Sequence, residues 1–479
     1  MSLPPQLIGC APNSAAERVR FRRALTLLLM TVALPGSAQL AAGNKQVGRV
    51  AMRTFLAALS ALAAFAVTAL VSRHAVLTLL TTPWLLGVLR FVLVAYAVGW
   101  AFLVIDAWRI ANPPALRQGH RLAMTGLNGA LCLGLSGALL FASHLVAVQR
   151  TFITTVFRGT TVAAPEKGRL NILLLGGDAG PERVGLRPDS VTVASIDERT
   201  GRTVLFGLPR NLADVPFPRG TAMHRAFPHG FDCTEECYLN AVNTWANDHP
   251  KLFPQVRDPG VLATTQAVEQ ITGLKVGYYV LVDLGSFQQL VDAVGGVTLD
   301  VRQSIPIGGP TLSHVTGWIK PGIRHLDGYD TLWFARSRAT SDDYSRMARQ
   351  KCVMNAMLHQ LSPSTVVTHF DKIARAGEQL VSTSIPPSEI DHLTELALMA
   401  RRLPVSTVSF VPPTIDTSHP NWRLIRHEVR RAIAHSEALD APHHHRARHH
   451  GRHQHRAAKR PSTVAQYAAN DSTDLSRTC

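Results

Sequence analysis

The chain predicts an α/β domain, a sheet covered by helices, preceded by an N-terminal helical transmembrane region. Three observations carry this prediction. Long apolar runs fill the segment 24–149. From 168 to 415, short β-branched runs alternate with segments of helical period. Two arginine-rich signatures lie far apart within that second region, and each also carries carboxylates.

The membrane region comes first. Residues 1–23 form a basic arm containing Arg18, Arg20, Arg22 and Arg23. Spanning a bilayer takes about 20 apolar residues, and the runs 55–72, 86–107 and 123–147 approach or meet this. Arg90 lies near the end of its run, where it can snorkel. Pro35-Gly36 breaks the run 24–42 into short halves, so it reads as a re-entrant hairpin, with a signal peptide as the alternative. The loop 43–54 carries Lys45, Arg49 and Arg53, and the loop 108–122 carries Arg109, Arg117 and Arg121, whereas 73–85 has only Arg73 as a fixed charge. The positive-inside rule then puts the arm and the two basic loops in the cytoplasm. A linker at 150–167 leads to a domain outside the cell, in a multi-pass protein of the plasma membrane. The formal charge of +16 would suit nucleic acid, but an external domain excludes it as a partner.

The domain elements follow in order. The continuous apolar run 170–175 suits a buried strand. Strands at 190–196 and 203–208 are joined by Asp197-Glu-Arg-Thr-Gly201, a hairpin turn. A helix is expected at 262–271, a strand at 277–283, and a helix at 287–294 closed by Gly295-Gly296. Amphipathic helices at 342–361 and 387–402 precede a last strand at 405–411.

The first signature is Asn171-Ile-Leu-Leu-Leu-Gly-Gly-Asp178, followed by Arg187-Pro-Asp189 and Leu208-Pro-Arg210. The second is Ala335-Arg336-Ser337-Arg338, followed by Asp343-Tyr-Ser-Arg346 and Arg349-Gln350. Carboxylates with guanidinium forks suit a metal ion and a bidentate anion such as pyrophosphate. Asp178 is expected in a loop after a strand and Asp189 just before the next, so the two acids can meet at one sheet edge. Arg346 and Gln350 share a helix face. Arg336 and Arg338 would share a face of an extended segment. The plainer alternative is that Arg338 and Arg346 pair with Asp342 or Asp343 on a helix surface.

Of six cysteines, Cys233 and Cys237 are four apart. With no matching second pair for zinc, a local disulfide is expected in an external loop. His224 and His229 nearby leave a metal alternative.

These signatures resemble the LytR-CpsA-Psr family of cell-wall glycopolymer ligases. Further matches are Tyr278-Tyr-Val-Leu-Val-Asp-Leu-Gly-Ser-Phe287, Leu290-Val-Asp-Ala-Val-Gly-Gly-Val297 and Leu326-Asp-Gly328. The resemblance covers 168–415 and looks like the multi-span actinobacterial type. It implies an extracytoplasmic α/β/α sandwich with an apolar tunnel for lipid. The implied activity is a phosphotransferase: a glycan on polyprenyl pyrophosphate moves, with its proximal phosphate, to a peptidoglycan hydroxyl. By motif match, Asp178 and Asp189 would hold Mg²⁺, and Arg187, Arg210, Arg336, Arg338, Arg346 and Gln350 would clamp the pyrophosphate. Asp178, Arg210 and Arg338 would be catalytic. Such transfer depends on positioning and charge neutralisation. One departure is Asn211, where the family often has Asp. The Ala-, Arg- and Val-rich usage hints at an actinobacterium and at arabinogalactan as the glycan, with capsule and teichoic-type polymers open. A polyprenyl-phosphate-binding scaffold and a lipid-pyrophosphate hydrolase are the alternatives. Phe287 and Leu290 read as core rather than tunnel lining.

The tail from 416 to 479 contains His443-His-His-Arg-Ala-Arg-His-His450 and reads as largely disordered, a polycation suited to anionic polymer or membrane lipid.

Overall fold

The computed structural model describes residues 14–112, 114, 116–157, 159, 161–178, 187–233, 237–309, 311–361, 372–373, 381–440 and 468–479. They form two compact units, Met1–Thr151 and Phe152–Cys479.

The first unit is helical: α1 (Ser14–Ala33), α2 (Ser37–Ala41), α3 (Lys45–Val71), α4 (Arg73–Thr81), α5 (Pro83–Ile110) and α6 (Gln118–Val156), the last of which runs past the unit's end at Thr151. By length and composition α3, α5 and α6 could each cross a membrane, with mean hydropathies of 2.2, 2.3 and 2.0. They cover the three expected runs except for Ser72, the extended C-cap of α3. Helix α1 joins the arm to the first half of 24–42 without a break. The chain then turns at Gly36, whose φ of +92° is open to glycine, and a Cβ there would stand 2.6 Å from the Gly48 carbonyl oxygen. The expected loop 73–85 is largely helical, because Ser72 caps α4 by accepting from the Ala75 N–H. The expected linker at 150–167 begins as helix, since α6 runs on to Val156.

The second unit is a mixed sheet with helices on both faces. Its strands and helices run β1 (Arg169–Asp178), β2 (Arg187–Asp197), β3 (Thr203–Leu208), α7 (Ala222–Ala226), α8 (Ala241–Asp248), α9 (Pro259–Thr272), β4 (Tyr278–Asp283) and α10 (Leu284–Ala293). Then come β5 (Val297–Val301), β6 (Ile305–Gly308), β7 (Val315–Ile319), β8 (Gly322–Leu326), α11 (Gly328–Arg336), α12 (Asp343–Gln360), β9 (Val381–Thr383), α13 (Ile390–Ala400), β10 (Ser406–Ser409), α14 (Trp422–Ala438), β11 (Asp471–Ser472) and α15 (Leu475–Thr478). Among the described residues the main sheet is ordered β11-β10-β3-β2-β1-β4-β9. Strands β1 and β4 are parallel, as are β3 and β10; the other neighbours are antiparallel.

Alternation along the strands builds the two faces. Leu173 and Leu175 pack with Val193, Phe206 and Phe410 against α8, α9 and α14. Leu174 and Leu205 point to the other face, with Ala348 of α12. Beside this face, the paired strands β5–β8 and β6–β7 close a separate core with α10, α11 and α12. These two small sheets were not anticipated from the sequence.

The domain does not stop at 415, and the segment from 416 on is not all disordered tail. Asn421 caps α14 by accepting from the Leu424 N–H, and its residues Ile425 and Val429 are 0% and 1% exposed in the main core. The apolar stripe Trp422, Ile425, Val429 and Ile433 has helical period. The last residues return as edge strand β11 on β10, and Cys479 is disulfide-bonded to Cys352 of α12. The His-rich tract at 443–455 lies outside the described residues.

Candidate functional site

A cavity of about 480 Å³ opens on the second face of the sheet, at the carboxyl ends of β1 and β4. Its wall is mostly apolar: Leu174, Val280, Val282, Phe287, Leu290 and Trp333 are among the lining residues. Phe287 and Leu290, expected in the core, line the cavity, and Phe287 also packs against the core closed by α10, α11 and α12. Its polar side is made by Asp189, Arg336, Arg338, Arg346 and Gln350. The sizes and composition are those of a pocket that takes an apolar ligand with a polar end.

The β1–β2 ladder positions the acids. Gly176 pairs with Ser190, Gly177 with Pro188 and Asp178 with Arg187, so the register skips Asp189. Asp189 is thus the extra residue of a β-bulge, a device that re-aims a side chain at the end of a ladder. Contrary to expectation, neither acid is in a loop: Asp178 is the last residue of β1 and Asp189 lies within β2. The backbones of both stand at the same end of the β1–β2 ladder.

Arg210, directly after β3, donates from Nη1 to Asp189 Oδ1 at 2.8 Å. Arg346 is 3% exposed; its Nη1 lies 3.5 Å from Asp189 Oδ2, and its Nη2 donates to the Asp189 carbonyl at 2.7 Å. The same Nη2 donates to Asp343 Oδ2 at 3.2 Å. Asp343 Oδ1 is 3.3 Å from Arg210 Nε and 3.6 Å from Arg338 Nη1. Asp189 and Asp343 therefore bind together the three guanidiniums of Arg210, Arg338 and Arg346. Burial pushes the Asp189 carboxyl up, but Arg346 and Arg210 outweigh it and hold it below the usual carboxylate range. With Arg336, four guanidiniums gather around Asp189 and Asp343, while Asp283 also lines the cavity; such a cluster of guanidinium forks suits a polyanion.

Asp343 is the residue that sequence reasoning set aside. Its pairing with Arg346 one helical turn on was the plainer alternative. The pairing exists, but across the site rather than on a solvated surface. Arg336 and Arg338 do not share an extended strand: Arg336 ends α11, and Arg338 follows its C-cap Ser337. The Arg336 guanidinium lies over the Trp333 ring, 5.0 Å from its centre. Gln350 donates to the Ala335 carbonyl at 3.3 Å.

Arg349 holds this turn. Its Nε donates to the Phe334 carbonyl at 2.7 Å, and its other nitrogens donate to Ser341 Oγ and the Ser337 carbonyl. It is buried and fixes the segment that presents Arg336 and Arg338, a positioning role the motif alone did not reveal. Arg187 begins β2, is exposed and does not line the cavity. Asn211 donates to Thr417 Oγ1 at 3.3 Å, and Thr417 also bonds the Tyr344 hydroxyl. This is a neutral chain beside Asp343. Cys233 and Cys237 are disulfide-bonded, with Cα atoms 5.4 Å apart. Among the described residues no three metal-ligating side chains cluster.

Known proteins resemble part of this chain. The protein named polyisoprenyl-teichoic acid–peptidoglycan teichoic acid transferase TagU, from Oceanobacillus iheyensis, is 28% identical over 218 residues, 45% of this chain and 57% of the relative. The probable cell wall biosynthesis protein LcpB of Corynebacterium glutamicum is 30% identical over 227 residues, 47% of this chain and 45% of its own. The chain spans about half the length of these two relatives. The crystal structure of B. subtilis TagV aligns over 57% of this chain and 98% of its own, with 23% identity and a TM-score of 0.40. The model of the LytR_cpsA_psr family matches residues 147–414, more than half of the sequence, and the chain belongs to that family.

Proposed function

We propose that this protein transfers a wall glycopolymer, with its proximal phosphate, from a polyprenyl-pyrophosphate carrier to a peptidoglycan hydroxyl, on the outer side of the plasma membrane. The observation that carries the reading is the joining of an apolar cavity to a cationic cluster along one wall. That combination fits a hydrocarbon chain ending in a pyrophosphate. The relatives named as teichoic acid–peptidoglycan transferases support transfer of a wall glycopolymer in kind. Two disulfides in the second unit, joining Cys233 to Cys237 and Cys352 to Cys479, suit an oxidising compartment outside the cell.

In this reading the lipid chain lies against Val280, Val282, Phe287 and Leu290. Arg210, Arg336, Arg338, Arg346 and Gln350 hold the phosphate oxygens, and Arg187 would reach them from the strand end. The acceptor oxygen attacks the glycan-bearing phosphorus. The bond to the bridging oxygen breaks, and polyprenyl phosphate leaves with that oxygen. The acceptor proton passes to a base at the strand ends, the role assigned to Asp178. Guanidiniums already fixed by Asp189 and Asp343 need no reorganisation as negative charge develops, and preorganised charge of this kind is the main source of rate in such reactions.

Mg²⁺ fits the donor set. Asp189 offers carboxylate oxygens at the cavity wall and Asp178 stands at the same end of the ladder. One or two carboxylates completed by phosphate oxygens and water is a usual environment for this ion. When bound it would neutralise pyrophosphate charge.

The test uses the full chain in nanodiscs with a short polyprenyl-pyrophosphate glycan, a peptidoglycan acceptor and Mg²⁺. Glycan joined to acceptor through phosphate supports the proposal, and parallel reactions with donors carrying arabinogalactan-type and other glycans show which polymer is taken. Phosphorylated glycan released to water indicates a hydrolase instead. No product, with donor lipid bound equally by the parent and by Asp178→Ala, rejects catalysis here.

A further inference from the structure

The corner between β7 and β8 has a composition that the transfer reaction does not use. It reads Trp318-Ile-Lys-Pro-Gly-Ile-Arg324. Trp318 is 48% exposed and Ile323 79% exposed. Poor packing does not explain this, because Ile319 of β7, Leu326 of β8, and Leu299, Val301 and Ile305 of their partner strands are all buried. The corner is also well formed. Gly322 takes a φ of +113°, and Arg324 Nη2 donates to the Pro321 carbonyl at 2.9 Å, with Nε directed at the Lys320 and Pro321 carbonyls.

Lys320 and Arg324 are both exposed. The corner therefore presents an indole and a sec-butyl side chain flanked by two cations. The nearest acids are engaged: Asp300, opposite Ile323 in the ladder, has its carboxylate 3.5 Å from Arg302, and Asp327 accepts from the Asp330 N–H as the cap of α11. Trp318 pairs with Pro306 of β6, two residues before Gly308, which lines the cavity. At the rise of an extended strand, this puts the corner about 7 Å along from the cavity wall.

We infer that this corner is a membrane-contact site that seats on the surface of an anionic phospholipid bilayer. Trp318 and Ile323 enter the interface, and Lys320 and Arg324 meet lipid phosphates. Trp favours the headgroup level because its ring is apolar and its N–H polar. Binding by such a site adds apolar burial to electrostatic attraction. An anionic bilayer uses both parts of this composition at once, since the apolar side chains can be buried at the interface while the cations meet its phosphates. The inference does not require the transfer reaction.

The test places the full chain in nanodiscs of phosphatidylglycerol and phosphatidylcholine that include a phosphatidylglycerol with a photoactivatable acyl chain. Adducts are mapped by mass spectrometry. Labelling at 318–324 is expected, and the double substitution Trp318→Ser with Ile323→Ser should lower it about tenfold. Adducts on α3 serve as the internal standard, and an unchanged melting temperature shows that the variant still folds. A corner left unlabelled while α3 is labelled overturns the inference. So does equal labelling in discs whose only lipids, photoactivatable one included, are phosphatidylcholine, or crosslinking at the corner to a second copy instead of lipid. Each readout is independent of product formation, so loss of the transferase reading would leave it standing.

Discussion

Replacing Cys479 by Ala opens a covalent loop that no sequence pattern announced. The bond to Cys352 spans 127 residues. The chain-entropy relation gives about 5 kcal/mol at 25 °C for a loop of that length, as extra freedom for the unfolded chain. A domain of this size loses roughly 2 °C of melting temperature per kcal/mol, so the expected fall is roughly 10 °C. Folded-state contacts hold the segment in place and survive the substitution. Leu475 is buried, and Asn470 donates to the Tyr344 carbonyl at 2.8 Å. The assay is thermal unfolding of the full chain in detergent under non-reducing conditions, for parent, Cys479→Ala and Cys352→Ala. The single variants should fall together, with Cys352→Ala slightly lower because its side chain also packs in two cores. A parent and Cys479→Ala that melt within about 2 °C of each other, with free thiols found at both positions in the parent, would refute the reasoning.

Three further outcomes are expected. Arg346→Met breaks a buried pair and leaves Asp189 and Asp343 short of a partner, at a cost of about 3–5 kcal/mol. Because Asp189 titrates below its ordinary value in the folded protein, part of that gap exists above the unfolded carboxyl's pKa and is lost as pH falls below about 4; denaturant unfolding at pH 7 and pH 3 reads both, and an equal gap at the two would count against the pairing. Lys351 is buried with no carboxylate partner among the described residues, donates to Ser409 Oγ and Asn470 Oδ1, and burial lowers its pKa to about 7. The unfolded chain then binds more protons than the folded one from pH 7 to about 10, so stability rises with pH by on the order of 1 kcal/mol per unit. Lys351→Met should flatten that rise relative to the parent between pH 7 and 9, and parallel slopes would show that the amine is charged in place. Ile425→Ala should cost about 2–5 kcal/mol if α14 belongs to the main core, whereas an unchanged denaturation midpoint would return 422–438 to the tail.

The fold was legible wherever local pattern and burial agree. The apolar run of β1, the hairpin of β2 and β3, and the long helix α12 each satisfy their own period, so sequence neighbours alone reveal them. The small sheets β5–β8 and β6–β7 were not seen, because their strands bury side chains against α10–α12, partners that no local window contains. Helix α14 carried its signal in Asn421 and the Ile425–Val429 stripe, but the basic residues around it favoured a solvated reading.

For the site, the sequence determined the kinds of chemistry available: carboxylates at the ends of neighbouring strands, guanidiniums in two signatures, and apolar runs long enough for a membrane. Only the tertiary structure decided which of them meet. The bulge at Asp189 and the seating of α12 bring residues from distant segments within hydrogen-bonding range, and they make Asp343 a hub rather than a surface partner of Arg346. They also leave Arg187 exposed at the strand end and assign Arg349 to holding the turn. Residue type fixes what a group can bind, but charge interactions act over a few ångströms, and those separations exist only after the sheet register and helix packing have been set.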